Sequence, residues 1–351
     1  MVDRKLNQRQ LKILYFIRSR QRTTNLDIKK YLEEESISIS RITITRDINN
    51  LLADDLIKRE GKGRTIWYQE EAKEILRYFD VDSYFKQNLD QRNVTFSHFN
   101  FKIFRGLKGL FNQNETKKLK ELNNDYLQRI KKLPTSIIKK EFERLTIDLS
   151  WKSSRIEGNT YSLIDTEILI KENKEAVGHK KEEAIMILNH KKAIDYILNE
   201  KENFKKITVR KIEDIHGLLT QELGISKGVR KRLVGIVGTK YRPIDNEFQI
   251  KEALEKTVKV INAVGNPLLK SLIAILLISY IQPFEDGNKR TSRMLGNALL
   301  LAYSFCPLSF RSIEEVDYKK AMILFYEQNS ARFFKELFIE QFNFATNNYF
   351  L

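Results

Sequence analysis

The strongest constraint in this sequence is a pair of uncharged stretches, residues 271–284 and 294–310, separated by a short and highly charged loop. The first reads as an apolar helix over residues 272–281 that breaks at Pro283. Asp286, Gly287 and Asn288 follow as a loop, and a new helix is expected to begin near Lys289. Neither stretch offers the roughly 18–20 continuous apolar residues that a bilayer span needs, because Ser, Tyr, Gln, Asn, Gly and Pro interrupt them. No membrane partner is expected.

The loop has a chemistry of its own. Backbone amides at a helix N-terminus bind anions, and Gly287 lets the backbone approach a phosphate closely. Arg290 and Arg293, three positions apart, can both present forked donors to that anion. Asp286 is a hard oxygen ligand placed to hold Mg²⁺ bridging phosphates. A glycine-containing loop alone says little; an acid, a Gly-Asn nest and two spaced arginines together say much more.

Charge points to a second partner. The 351 residues hold 62 Lys+Arg against 46 Asp+Glu, a net charge of +16. Residues 1–70 carry 15 basic and 10 acidic side chains, and residues 71–150 carry 16 and 11, so the N-terminal part supplies most of the excess. That balance favours a polyanion there, although a uniformly Lys-rich surface would give the same sum. The length suggests two or three domains. With 42% hydrophobic residues the chain is too apolar for disorder, and 5 prolines with 14 glycines exclude collagen-like polymers. The one cysteine, Cys306, excludes a disulfide framework and a Cys-based zinc site. With no apolar leader at the start, a cytoplasmic location is expected.

The first seventy residues form a pattern. Leu11, Ile13, Leu14, Phe16 and Ile17 share a helical face; Thr24 and Asn25 can cap a second helix with Ile28, Tyr31 and Leu32 inside. A third helix turns Ile44, Ile48, Leu51 and Leu52 inward. It leaves Arg41, Thr43, Thr45, Arg46 and Asn49 outward, residue types that bond phosphates and base edges. Two short strands around Gly61-Lys62-Gly63 follow, with Lys62 and Arg64 on the turn. Three helices and a basic hairpin make a winged helix-turn-helix, and the stretch resembles the DeoR-like winged helices of transcription regulators. The resemblance implies duplex DNA as partner; a protein-contact module is the alternative. Residues 71–137 read as a polar helical connecting segment with aromatic clusters at residues 79–85 and 96–104, and they say little about function.

The loop at 282–293 resembles the core motif of Fic (Fido) domains, H-x-F-x-D/E-G-N-x-R-x-x-R, at Phe284, Asp286, Gly287, Asn288, Arg290 and Arg293. The likeness extends over about residues 138–341, in a domain expected to span residues 138–351. Within it Ser153-Ser-Arg-Ile-Glu157-Gly-Asn resembles the S/T-x-x-x-E-G/N inhibitory helix, placed near residues 145–158. Residues 234–243 resemble the β-hairpin flap that aligns a target segment by strand pairing, with Val237, Gly238 and Tyr241 in that role. The helix around His216 resembles the one before the flap. The resemblance implies a mainly α fold: an all-helical Fic-type domain with a short β-hairpin flap, beside a small α+β winged-helix domain. It also implies ATP with Mg²⁺ as the ligand, and transfer of AMP to a hydroxyl of an unidentified protein target. Asp286 would hold the metal; Gly287, Asn288 and Arg290 would bind phosphates. Arg293 would grip the γ-phosphate or pair with Glu157, and Glu157 would inhibit. A homodimer is the other partner the family suggests.

Two positions depart from that motif. Gln282 stands where the family has the catalytic His, and an amide cannot take the proton of an attacking hydroxyl; losing a positioned base costs about 10²–10⁴ in rate. The four histidines, His98, His179, His190 and His216, all lie outside the motif. Lys289 replaces the usual Gly, as in the phosphate-transferring Doc branch. The expectation is an AMP-transferring type of protein, weakened or silenced at Gln282. The alternatives are a DNA-binding regulator with a non-catalytic Fic domain, a Doc-like phosphotransferase, or an AMP-removing variant. A capping box at Ser154 and Glu157 would be a purely structural use of the inhibitory segment, but Gly158 fits better just past a helix end. His216 is expected to be a packed, hydrogen-bonded histidine, and Cys306 a small core residue.

Overall fold

The computed structural model describes residues 6–20, 22–37, 39–71 and 74–351, with the side chain of Arg64 also outside that set. The chain divides into two compact units, Met1–Lys86 and Gln87–Leu351.

In the first unit, α1 (Gln8–Arg18), α2 (Asn25–Glu34) and α3 (Arg41–Ala53) begin on Asn7, Thr24 and Ser40, whose side chains accept from the amide three residues on. Each cap satisfies an amide that no helical carbonyl can reach. Leu14, Ile17, Ile28, Leu32, Ile44, Ile48 and Leu51 are buried in one core, as the sequence periodicity requires. Strands β1 (Ile57–Glu60) and β2 (Trp67–Glu70) pair antiparallel, with Ile57 opposite Glu70 and Glu60 opposite Trp67. Between them Gly63–Thr65 forms one 3₁₀ turn, so the connection is longer than the tight Gly61-Lys62-Gly63 turn expected. The unit closes with a short helix, α4 (Val81–Lys86).

The expected helical connector is helical in part: α4 and a longer helix at Gln113–Ile130 lie within it. Short 3₁₀ turns at Glu74–Leu76, Leu89–Gln91 and Phe101–Arg105 occupy the stretches outside them, and its first part belongs to one unit while the rest belongs to the other. Aromatic packing holds the part outside the helices: Phe99 meets Phe101 edge-on with ring centroids 4.9 Å apart and lies tilted against Tyr280 at 4.6 Å.

The second unit is mainly helical: α5 (Gln113–Ile130), α6 (Thr135–Ile156), α7 (Leu163–Glu172), α8 (Lys181–Asn199), α9 (Val209–Leu219), α10 (Glu247–Ala263), α11 (Pro267–Ile281), α12 (Asn288–Ala302), α13 (Glu315–Gln328) and α14 (Arg332–Asn348). At its centre lie α11 and α12. All residues of α11 from Leu268 onward are buried, as are Asn288 and Arg290 to Ala302 of α12. The helical parts of the uncharged stretches are therefore buried on all sides, which is the arrangement a helix without a polar face demands. Gly296 permits the close approach of the two helices, since a Cβ there would lie 2.9 Å from Ile275.

The flap differs from expectation. Residues 234–243 turn at Val237-Gly238 but form no paired hairpin; their one bridge is parallel, between Arg242 and His98. Gly235, Gly238 at φ +83° and Pro243 interrupt any ladder, and β1–β2 is the one sheet among the described residues.

Candidate functional site

The break between α11 and α12 builds the site. Gln282 caps α11 in the left-handed region at φ 50°, and Gly287 at φ 76° precedes α12. A Cβ on Gly287 would come within 3.0 Å of Thr220, so glycine is required both for the turn and for room. Asn288 ties the loop shut: its Oδ1 accepts from the Phe284 amide and its Nδ2 donates to the Phe284 carbonyl, both at 2.8 Å. Its side chain is thus fully used, and any phosphate contact from this residue must come from its backbone amide. Phe284 is buried and stacks on His216 at 3.8 Å.

His216 behaves as expected of a packed histidine. Its Nε2–H donates to the Asp286 carbonyl at 3.0 Å, which fixes the loop from the α9 side. Burial lowers its pKa to about 4, so the ring is neutral.

A cavity of about 440 Å³ opens over this loop. Gln282, Asp286, Gly287, Lys289 and Arg290 line it, together with Glu157 from the end of α6, Val237 from the flap segment, and Tyr318, Met322 and Ile323 from α13. The first amides of α12 lack helical carbonyl partners, so the floor is an anion site in type. The Asp286 carboxylate is 69% exposed at the cavity; its Oδ1 accepts from the Gly287 amide at 2.6 Å and its Oδ2 from the buried Arg290 at 3.3 Å. These residues fit a phosphate with a divalent cation: an open carboxylate, a glycine-floored loop and a fixed guanidinium. Among the described residues no cluster of three or more His, Cys, Asp or Glu could hold a metal unaided, so a cation here would need the ligand's own oxygens.

Gln282 is locked. Its Nε2 donates to the Ser279 carbonyl at 2.6 Å, and its backbone carbonyl accepts from Arg230 Nε at 2.7 Å. No histidine lines the cavity.

Arg293 does not join Arg290 at the cavity. It is 1% exposed and turned to the end of α6, where Nη2 donates to Glu157 Oε1 at 2.8 Å and to the Ser153 carbonyl at 2.9 Å. Of the two destinations expected for it, the structure shows the pair with Glu157. Glu157 is the C-cap of α6 and Gly158 follows at φ 98°, so the helix ends there and leaves the carboxylate free to turn. Lys289 Nζ lies 3.6 Å from the second Glu157 oxygen. Burial raises the pKa of this carboxyl, but the charges of Arg293, Lys289 and Arg290 more than offset it and leave it below the usual carboxylate range.

Three contributors were not legible beforehand. Ser153 Oγ accepts from Arg293 Nε at 3.0 Å and lies 2.8 Å from His190 Nε2, whose Nδ1–H donates to the Met186 carbonyl at 2.8 Å. Buried Arg230 donates to the carbonyls of Gln282 and Arg232, joining the flap segment to the end of α11. Glu327, fully buried, accepts from Arg92 at 3.3 Å, from the Thr239 hydroxyl at 2.7 Å and from the Lys240 amide at 3.2 Å. Of the expected flap residues, Val237 is 96% exposed. Tyr241 is buried and donates to the Tyr280 carbonyl at 2.7 Å, so it anchors the segment and cannot itself meet a target.

A helical domain with an anion-binding helix start and a carboxylate–arginine clasp beside it defines the class of site. Residues 206–300 match the model of the Fic/DOC family, so this stretch is a Fic/DOC family domain. Among curated proteins the chain is similar to the protein adenylyltransferase Fic of Nematostella vectensis, with 24% identity over 59% of this chain and 51% of that protein. It is also similar to the protein adenylyltransferase Fic of Aedes aegypti, with 30% identity over 45% of this chain and 32% of that protein. The chain thus spans about half or less of the curated relatives it matches. Solved structures share the fold. A fragment of Fic-1 from C. elegans aligns with TM-score 0.56 at 18% identity, covering 67% of this chain and 70% of that one. A Fic family protein from Desulfovibrio desulfuricans aligns at 0.56 and 19%, covering 68% and 74%.

Proposed function

We propose that the chain binds ATP with Mg²⁺ in the cavity over residues 282–290, in the manner of an AMP-transferring Fic protein, and that Gln282 disables the transfer step. The observation that carries this is the contrast within one loop: Asp286, Gly287 and Arg290 are set for a nucleotide's phosphates, while the side chain at the base position is an amide hydrogen-bonded to its own helix. Asp286 would hold the metal, which when bound would neutralise developing phosphate charge. Arg290 would orient the phosphates, and the α12 amides would receive a phosphate oxygen. A target hydroxyl laid along the flap segment near Val237 would meet no group able to take its proton.

Glu157 acts as the control in this reading. Its pair with Arg293 withholds the guanidinium that a terminal phosphate would otherwise engage, one charge-assisted bond exchanging for another. The Lys289 ammonium beside the same carboxylate supports this use of Lys289 over a Doc-like reorientation of the nucleotide. The first unit is proposed to be a winged helix-turn-helix that binds duplex DNA, supported by the exposed Arg41 and Arg46 on α3 and Lys62 beyond β1.

The test uses the full chain with α-labelled and γ-labelled ATP. Calorimetric binding of ATP·Mg²⁺ without transfer of either label is the expected result. Transfer from the α position would show that Gln282 is no obstacle, and transfer from γ would make the chain a phosphotransferase.

A further inference from the structure

The solvent face of α3 holds a feature that phosphate contact does not use. Arg41, Ile42, Thr45, Arg46 and Asn49 are all exposed, whereas Ile44, Asp47 and Ile48 are buried. Ile42 is 74% exposed, at the second position of the helix. Thr45, three residues on and so beside it, has its hydroxyl bonded to the Arg41 carbonyl at 3.0 Å, which leaves its methyl for contact. The Thr43 hydroxyl is likewise engaged, with Ser40 at 3.0 Å. Thr45 has therefore used its one hydroxyl donor within the helix, and the Thr43 hydroxyl is shared with Ser40. Asp47, the one acid of α3, is drawn inward by Arg9 at 2.5 Å and Gln10 at 3.2 Å, so the exposed face is cationic with an apolar strip along it.

A single exposed isoleucine is ordinary on a protein surface. Its placement between two arginines on the N-terminal half of a groove-reading helix would be wasted on phosphates, yet it matches the one apolar feature of the major groove, the thymine 5-methyl group. We infer that Ile42, with the Thr45 methyl beside it, reads a thymine methyl in the major groove, so that the duplex this chain prefers carries thymine at that position. This rests on the DNA-binding reading of the first unit. The cationic face favours DNA, a polyanion, over a protein partner.

The experiment enriches duplexes from a random library with the full chain, then replaces each thymine of the enriched duplex by uracil, which removes only the methyl. Uracil at one position should weaken binding about four-fold, the value of one buried methyl group. In Ile42→Ala the thymine and uracil duplexes should bind alike, while Ile42→Val keeps most of the difference. Because Ile42 is exposed, both variants should melt as the unmodified chain does. Equal binding of thymine and uracil duplexes by the unmodified chain, or a difference undiminished in Ile42→Ala, would overturn the inference and leave DNA binding standing. Failure to enrich any duplex would remove both, and capture of a protein by the same face would replace them.

Discussion

Glu157 Oε1 accepts a 2.8 Å hydrogen bond from Arg293 while its other oxygen lies 3.6 Å from Lys289, so one carboxylate holds two cations at the edge of the cavity. The Arg293 side chain is fully buried, and beneath it Ser153 and His190 fix it in place. The clasp is therefore part of the core on one side and of the cavity on the other.

Glu157→Gly should tighten ATP·Mg²⁺ binding. A hydrogen bond between charged groups contributes about 1.5–3 kcal/mol, so freeing Arg293 should raise affinity about ten- to hundred-fold, measured by titration calorimetry. Unchanged affinity would remove Glu157 from any regulatory role.

Acid should destabilise the second unit well above the carboxylate range. Burial holds His190 at about 3 and His216 at about 4, below the ordinary value of about 6.5. Between pH 6.5 and 4 the unfolded chain takes up protons that the folded one refuses, so stability falls as pH drops, by up to about 1.4 kcal/mol per pH unit for each ring. Above pH 7 neither contributes a slope. Urea unfolding at pH 7, 6 and 5 should show this, and His216→Gln or His190→Gln should each flatten the slope by about one proton. A slope unaffected by both substitutions would contradict it.

Glu327→Ala should loosen the flap. It would remove the carboxylate partner of Arg92 and release Thr239, and breaking a buried pair costs about 3–5 kcal/mol. Limited proteolysis should then cut within residues 231–240 faster than in the unmodified chain, with equal rates counting against an anchoring role.

Lys62→Ala should weaken binding to all duplexes alike and reduce the salt slope by about one unit, as loss of a single phosphate contact does. A sequence-dependent loss would place Lys62 against base edges.

How much of this was legible follows from what each feature depends on. The helix pair α11–α12 was readable because uncharged residues on every face admit only a central position. The end of α6 was readable because Gly158 follows it. The destination of Arg293 was not fixed by its spacing from Arg290: a three-residue interval sets a helix face, whereas the neighbour met there depends on α6, far away in sequence. The flap's lack of pairing and the roles of Arg92 and Arg230 were hidden for a related reason. Nothing local distinguishes them among the 62 basic residues, and only packing selects them.

The central claim, that nucleotide binding and chemistry have come apart at Gln282 under the control of Glu157, is tested most directly by Gln282→His made with and without Glu157→Gly. Labelling from α-labelled ATP is followed in all four proteins. The account predicts transfer in the double variant only, at least about 10²-fold above the Glu157→Gly protein, the value of a restored base. Comparable labelling by the unmodified chain, or none from a double variant that binds ATP, would contradict it.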